Sequence, residues 1–264
     1  MKIEKPTIVT ALFNIGRDTW DAYDLSYGMY LSWMKSLLMY DMPMVIYTDE
    51  VLYEEIKRNR MVCDPNLEKT IFEIKTLDEL TAHQIYHQKV NDLMTSDEFK
   101  LKIQFNVPEM TRPLYNIVIF NKIFYIKESI EKKHFDSDFY IWADAGVLRD
   151  GNTTPISNWP NLEKINNGYS DKITFFNHQD AVSVNDYHFH LMSQYRYIHG
   201  GCFFVPNNGT IDEFINDFLN YIDLFLEQGF VGSEEKYYDF CYSLKPHNYN
   251  IVKSDWRQYF NIFS

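Results

Sequence analysis

The chain has 264 residues, 45% of them hydrophobic and 17% aromatic, with only 10 glycines and 9 prolines. That composition can bury a substantial core and excludes a disordered or linker-rich chain. A formal net charge of −12 argues against a nucleic-acid partner, which would need a basic footprint.

Strand-like and helical runs alternate from the start. Residues 7–13 (TIVTALF) read as a strand, 24–40 as a helix, 44–48 (MVIYT) as a second strand ending at Asp49, and 50–60 as a charged helix. A third strand is expected at 70–75, and residues 77–103 are polar and helix-like. Thr111 and Pro113 give a helix start, and the helix is expected to run to about Lys133. The run 138–144 is a buried strand. Beyond it, 151–170 is loop-like, 173–176 and 199–206 are strands, 211–228 and 233–244 are helices with Ser233 as an N-cap, and 248–253 is a late strand. The alternation implies one α/β domain over residues 1–264, with a mainly parallel sheet covered on both faces.

Three widely spaced cysteines, Cys63, Cys202 and Cys241, contain no CxxC pair, which argues against structural zinc and a disulfide framework. No apolar stretch is long enough to cross a bilayer, and the N-terminal apolar run is too short for a signal peptide. A soluble cytoplasmic protein is expected, with peripheral membrane association left open. The P-loop, GxGxxG, GxSxG and HExxH signatures are absent. His188 and His190 form an HxH pair with His178 and His199 nearby, so a histidine-ligated metal hydrolase is one reading; scattered aromatics in a Tyr- and Phe-rich chain is the other.

Ligands of open parallel sheets sit outside the carboxyl ends of the strands. Asp144 stands just past a buried strand, and a carboxylate there needs a partner. A divalent metal would serve, and Gly146 would let a ligand approach the backbone; the alternative is an Asp bonded to a turn. Asn14, Gly16 and Arg17 follow the first strand, Asp49 the second, and His199-Gly200-Gly201 open a later one. Taken singly these read as a surface charge, a helix cap and a bulge or close packing. Lys122 lies on a helix apolar in nearly every direction and is expected to be buried, paired with a phosphate or Asp144, or to snorkel outward.

The segments TALFNIGRD, VIYTDE, YNIVIFNKIF, FYIWADAGVLRD and HGGCFFVP, in this order, resemble the HtrL/YibB-like family associated with bacterial surface-polysaccharide genes, and more broadly the glycosyltransferases of the GT-A fold. The resemblance implies a GT-A-like, Rossmann-like α/β fold and transfer of a sugar from a nucleoside-diphosphate donor, expected to be a UDP-sugar, to a hydroxyl of a glycan or other acceptor. Such enzymes carry a D-x-D motif that holds Mn²⁺ or Mg²⁺. Here Asp144 matches its last Asp, and Trp142 and Ala143 take the two positions before it. The resemblance also places Asn14, Gly16, Arg17 and Asp49 with the nucleotide, whose diphosphate Lys122 could help to hold, and His199, Gly200 and Gly201 beside the acceptor. Glu234 and Glu235 become candidate bases, although acids also favour a helix's first turn. His247 is implied as a further metal ligand and Trp256 as part of a lid. The incomplete motif leaves a second reading, a binding module of the same fold with impaired catalysis.

Overall fold

The computed structural model describes residues 2–21, 25–149, 159–177, 184, 186–194, 196–255 and 258–264. Seven strands form one sheet: β1 (Pro6–Leu12), β2 (Met44–Thr48), β3 (Thr70–Ile74), β4 (Phe139–Ala143), β5 (Ile173–Asn177), β6 (Ile198–Pro206) and β7 (Tyr249–Lys253). Their order is β3-β2-β1-β4-β6-β5-β7. All neighbours are parallel except β6, which runs antiparallel to both β4 and β5. The sheet is therefore mainly parallel, and β6 delivers its first residues to the edge where β1, β2 and β4 end.

Side chains alternate across the pleat. Tyr140 and Trp142 of β4 enter one apolar layer, and Phe139, Ile141 and Ala143 enter the other. The first layer is covered by α3 (Thr81–Thr95), α6 (Pro113–Phe120), α7 (Lys122–Lys132), α10 (Thr210–Glu227) and α11 (Glu234–Leu244). The second is covered by α1 (Tyr27–Leu38) and α2 (Glu50–Arg60). Arg60, fully buried, is neutralised in hydrogen-bonding terms by Thr70 Oγ1 and the carbonyls of Leu38, Tyr40 and Met42, and so ties α2 to the end of α1.

Two expected helices are subdivided. The run 77–103 contains a 3₁₀ turn (Leu77–Glu79), α3 and α4 (Asp97–Lys102), because Ser96 is extended and caps the next helix by accepting from Phe99 N. The run 111–133 is preceded by α5 (Pro108–Thr111), so Thr111 ends a turn and does not cap. Pro113 holds Arg112 extended, and α6 starts at the proline itself. A second break falls at Asn121, whose side-chain carbonyl accepts from Ala82 N at 2.9 Å and locks α3 to the α6–α7 junction. Short helices α8 (Leu162–Asn166), α9 (Tyr187–Met192) and α12 (Tyr259–Ile262), with 3₁₀ turns at Arg17–Thr19 and Pro246–Asn248, complete the described elements. Among the described residues no helix is long and apolar enough to cross a membrane.

Candidate active site

A cleft of about 450 Å³ opens at the sheet edge where β4 ends and β6 begins. At its floor is Lys122, the first residue of α7. It is 6% exposed, and its Nζ lies 2.6 Å from Glu234 Oε1, 2.8 Å and 3.0 Å from the two oxygens of Asp144, and 3.1 Å from the Gly200 carbonyl. An ammonium carries three hydrogens, so these three residues account for its donors. The expectation that Lys122 pairs with Asp144 holds geometrically, and the snorkelling alternative does not apply.

Each carboxylate arrives for a local reason. Asp144 follows β4, and its backbone N–H donates to Gly201 O at 2.9 Å. Glu234 and Glu235 open α11, whose N-cap is Ser233. Glu235 accepts from Gly200 N at 2.9 Å and from Arg196 at 2.7 Å. The helix start is thereby pinned against β6. Gly200 makes this approach possible, because a Cβ there would lie 2.5 Å from Glu234 Oε1 and 3.1 Å from Glu235 Cγ. The same stretch also bulges: Phe175 pairs with Phe203, but the next residue, Phe176, pairs with His199. Both readings of the His-Gly-Gly start, bulge and close packing, are realised, and the close neighbour of Gly200 is the protein's own carboxylate pair.

Three carboxylates (Asp144, Glu234 and Glu235) thus share two cations (Lys122 and Arg196). Burial raises Glu234, which Glu235 and Asp144 reinforce and Lys122 opposes, and it is pushed up to about 7. Burial also acts to raise Glu235, but Arg196 and the Gly200 N–H outweigh it and hold Glu235 below the usual range. Burial disfavours the Lys122 ammonium, yet Asp144 and Glu234 overcome this and hold its pKa well above the ordinary lysine value. One carboxyl of the cluster, Glu234, is therefore poised between its two protonation states near neutrality.

Trp142, buried at 2% exposure, is not a gap in a metal motif. Its Nε1 donates to Asp144 Oδ1 at 2.7 Å. Both oxygens of Asp144 are then engaged by donors, one from the indole and the others from the ammonium. The indole and the ammonium together engage Oδ1, and the ammonium alone engages Oδ2, while the side chain stays 36% exposed. Among the described residues no group of three or more His, Cys, Asp or Glu side chains is placed to hold a metal. Lys122 stands between Asp144 and Glu234, so these side chains alone do not form a resident Mn²⁺ or Mg²⁺ site. His247 stands apart: it precedes β7, whose first residue Tyr249 pairs with Ile173 at the start of β5, at the edge opposite Asp144. It lines a separate small cavity with Lys172 and Glu213.

The remaining expected residues fall around the cleft. His199 and Gly201 are in its wall, with Lys122, Asp144, Glu234 and Glu235. Asn14, Gly16 and Asp49 build the adjoining loop. Asn14 N donates to Asp49, Asp49 also caps α2 through Leu52 N, and Asn14 Oδ1 accepts from Gly16 N, where φ is +78°. Arg17 stacks its guanidinium on Trp20, Tyr30 and Tyr115, and the two tyrosines are cleft wall. Ala143 turns into the core and away from the cleft. Sequence reasoning did not single out Tyr30, Tyr115, Arg149, Arg196 or Tyr259, which also line it. Arg196 carried one usable signal, a lone cation two residues before a buried strand.

The histidine pair diverges. His190 is buried, donates to or accepts from Asp239 at 2.8 Å, and stacks on Tyr197, whereas His188 contacts Gln228. Residues two apart on a helix point away from each other, so the pair cannot chelate. His178 and Trp256 lie outside the described residues.

A mixed α/β fold, with a buried acid–lysine cluster in a cleft at the strand ends, is the class of protein these features define. Residues 4–264 match the family described as bacterial protein of unknown function (HtrL_YibB), and the chain belongs to that family. No curated protein matches it. Among solved structures it is similar to the galactosyltransferase LgtC in complex with donor and acceptor sugar analogs, at 11% identity and a TM-score of 0.44, over 93% of this chain and 73% of that one. It is also similar to the glycosyltransferase GlyE of Streptococcus pneumoniae TIGR4, at 10% identity and a TM-score of 0.43, over 94% of this chain and 45% of GlyE.

Proposed function

We propose that the chain transfers a glycosyl group from a nucleoside-diphosphate sugar, with UDP as the expected nucleotide, to a hydroxyl acceptor in this cleft, and that it does so without a resident divalent metal. The observation that carries the reading is the pair Asp144 and Glu234 held on one lysine at the cleft floor. In the transfer, the acceptor oxygen forms a bond to the anomeric carbon and the bond from that carbon to the diphosphate oxygen breaks. The electron pair leaves with the nucleoside diphosphate, and the hydroxyl proton passes to the Glu234 carboxylate, whose pKa suits a general base near neutrality. Lys122, Arg149 and Arg196 are the cations of the wall that would offset the diphosphate charge. The loop of Asn14, Gly16 and Arg17 is assigned to the nucleotide.

A second reading, binding without turnover, is favoured by one feature: every hydrogen of Lys122 is already engaged within the protein. The two readings separate in a donor-hydrolysis and transfer screen across UDP-, GDP- and dTDP-sugars, with UDP binding measured by calorimetry. Turnover that disappears in Asp144→Asn supports transfer. UDP binding with no turnover on any donor and acceptor supports the binding module, and failure to bind any nucleotide removes both.

A further inference from the structure

Behind the wall formed by Glu109, Arg196 and Ser233 lies a second cavity of about 260 Å³. Those three residues line both spaces, so the side cavity and the cleft share one wall. Lys236 is part of its wall. This residue is 4% exposed, on the first turn of α11, and its Nζ makes no hydrogen bond among the described residues. A buried ammonium without an acceptor is costly, and lysine is seldom buried unless paired. The nearby acids do not supply the partner. Asp239 is taken by His190 and by the N–H groups of Tyr197 and Ile198, and Glu235 by Arg196 and Gly200. Glu109, in the shared wall, makes no ion pair of 4 Å or less with Lys236. Burial pulls Lys236 down to about 8, and Arg196 adds to this, against the opposing pull of Asp239, Glu235 and Glu109, none of which bonds its Nζ.

We propose that this side cavity is an acceptor subsite for an anionic group, a carboxylate or a phosphate, received by Lys236 together with Arg196. The assignment rests on the cleft being the transfer site. It adds the substrate class: an acceptor that carries an acidic substituent away from its reacting hydroxyl. Arg196 already spans the two spaces, with one guanidinium nitrogen on Glu235, so an anion drawn to Lys236 would be read by the residue that also steadies the α11 carboxylates.

The experiment is calorimetric binding of D-glucuronate, D-glucose 6-phosphate and D-glucose to the full chain, repeated with Lys236→Met and Lys236→Arg. At least a tenfold preference for one of the charged sugars over glucose is expected in the parent, lost in Lys236→Met and restored at least in part by Lys236→Arg; the two charged sugars separate carboxylate from phosphate. Equal binding of all three sugars by the parent, or a preference that survives in Lys236→Met, overturns the subsite. Parent binding is decisive even if a variant fails to fold. UDP binding is followed in parallel: UDP bound without any anion preference sinks the subsite alone, and an anion preference without UDP binding sinks the donor assignment while supporting the anion pocket.

Discussion

Trp142 Nε1 donates to Asp144 Oδ1 at 2.7 Å, across two residues at the end of one strand. The indole therefore engages the carboxylate for which the sequence resemblance implied a metal. Treatment with EDTA is expected to leave donor turnover unchanged within twofold. Trp142→Phe keeps the aromatic packing and removes the donor. It is expected to cost about 2 kcal/mol in urea unfolding, the range of a hydrogen bond to a charged group, and to make UDP binding respond to added Mn²⁺. Turnover abolished by EDTA in the parent would refute this account.

Among the described residues, Lys122 is the only ammonium paired with both Asp144 and Glu234. Replacing it by Ala leaves two carboxylates at the cleft floor without their shared counter-ion. Loss of one partner of a buried ion pair typically costs about 3–5 kcal/mol, and the Lys122→Ala variant is expected to fall in that range by urea denaturation. A change under about 1 kcal/mol would mean that the cluster is more solvated than its burial implies.

Glu234 is raised to about 7 by burial. As a base it must be ionised, so the rate should fall roughly tenfold per pH unit below about 7 and level off above it. The sign for stability is opposite. A carboxyl whose folded pKa lies above its unfolded one adds stability that is complete below the unfolded value and is lost as pH rises through about 7. Glu234→Gln should abolish turnover yet be at least as resistant to heat as the parent at pH 8, because its amide oxygen can still accept from Lys122. A pH–rate profile that is flat between 5 and 8 would remove Glu234 from the mechanism.

Gly200→Ala places a methyl 2.5 Å from Glu234 Oε1. Overpacking of this kind costs about 1–3 kcal/mol, and the carboxylate is the mobile partner. The expected outcome is a lower Tm together with a displaced rate profile, since Glu234 can move only by loosening its bond to Lys122. An unchanged profile would show that the strand yields and the carboxylate does not.

The strands and most helices were legible from period and punctuation, most clearly β2 and β4, which are fully buried and bounded by Pro43 and Asp49 and by Asp138 and Asp144. β2 and α2 have the expected limits to the residue. The subdivision at Asn121 was not legible, since its cause is tertiary, a side chain reaching Ala82 across 39 residues, whereas the one at Ser96 is a local cap accepting from Phe99 that the polar run 77–103 obscured. At the site, Lys122 and Asp144 announced themselves as charges in apolar surroundings. The indole of Trp142 read as a missing carboxylate, because a residue's type does not say where its one polar atom points. Lys236 carried too little local pattern to separate it from surface cations, and Arg196 only its place two residues before a buried strand. His247 was misplaced because distance along the chain does not tell which edge of the sheet a loop serves.

The exhausted hydrogens of Lys122 have a consequence for timing. A phosphate oxygen that takes one of them must take it from Asp144, Glu234 or the Gly200 carbonyl. Arrival of the donor and release of a carboxylate would then be a single exchange, and an empty cleft would keep its base clamped. Such a clutch would show itself as a proton taken up or released when UDP binds, measured as a buffer-dependent heat that Lys122→Met abolishes.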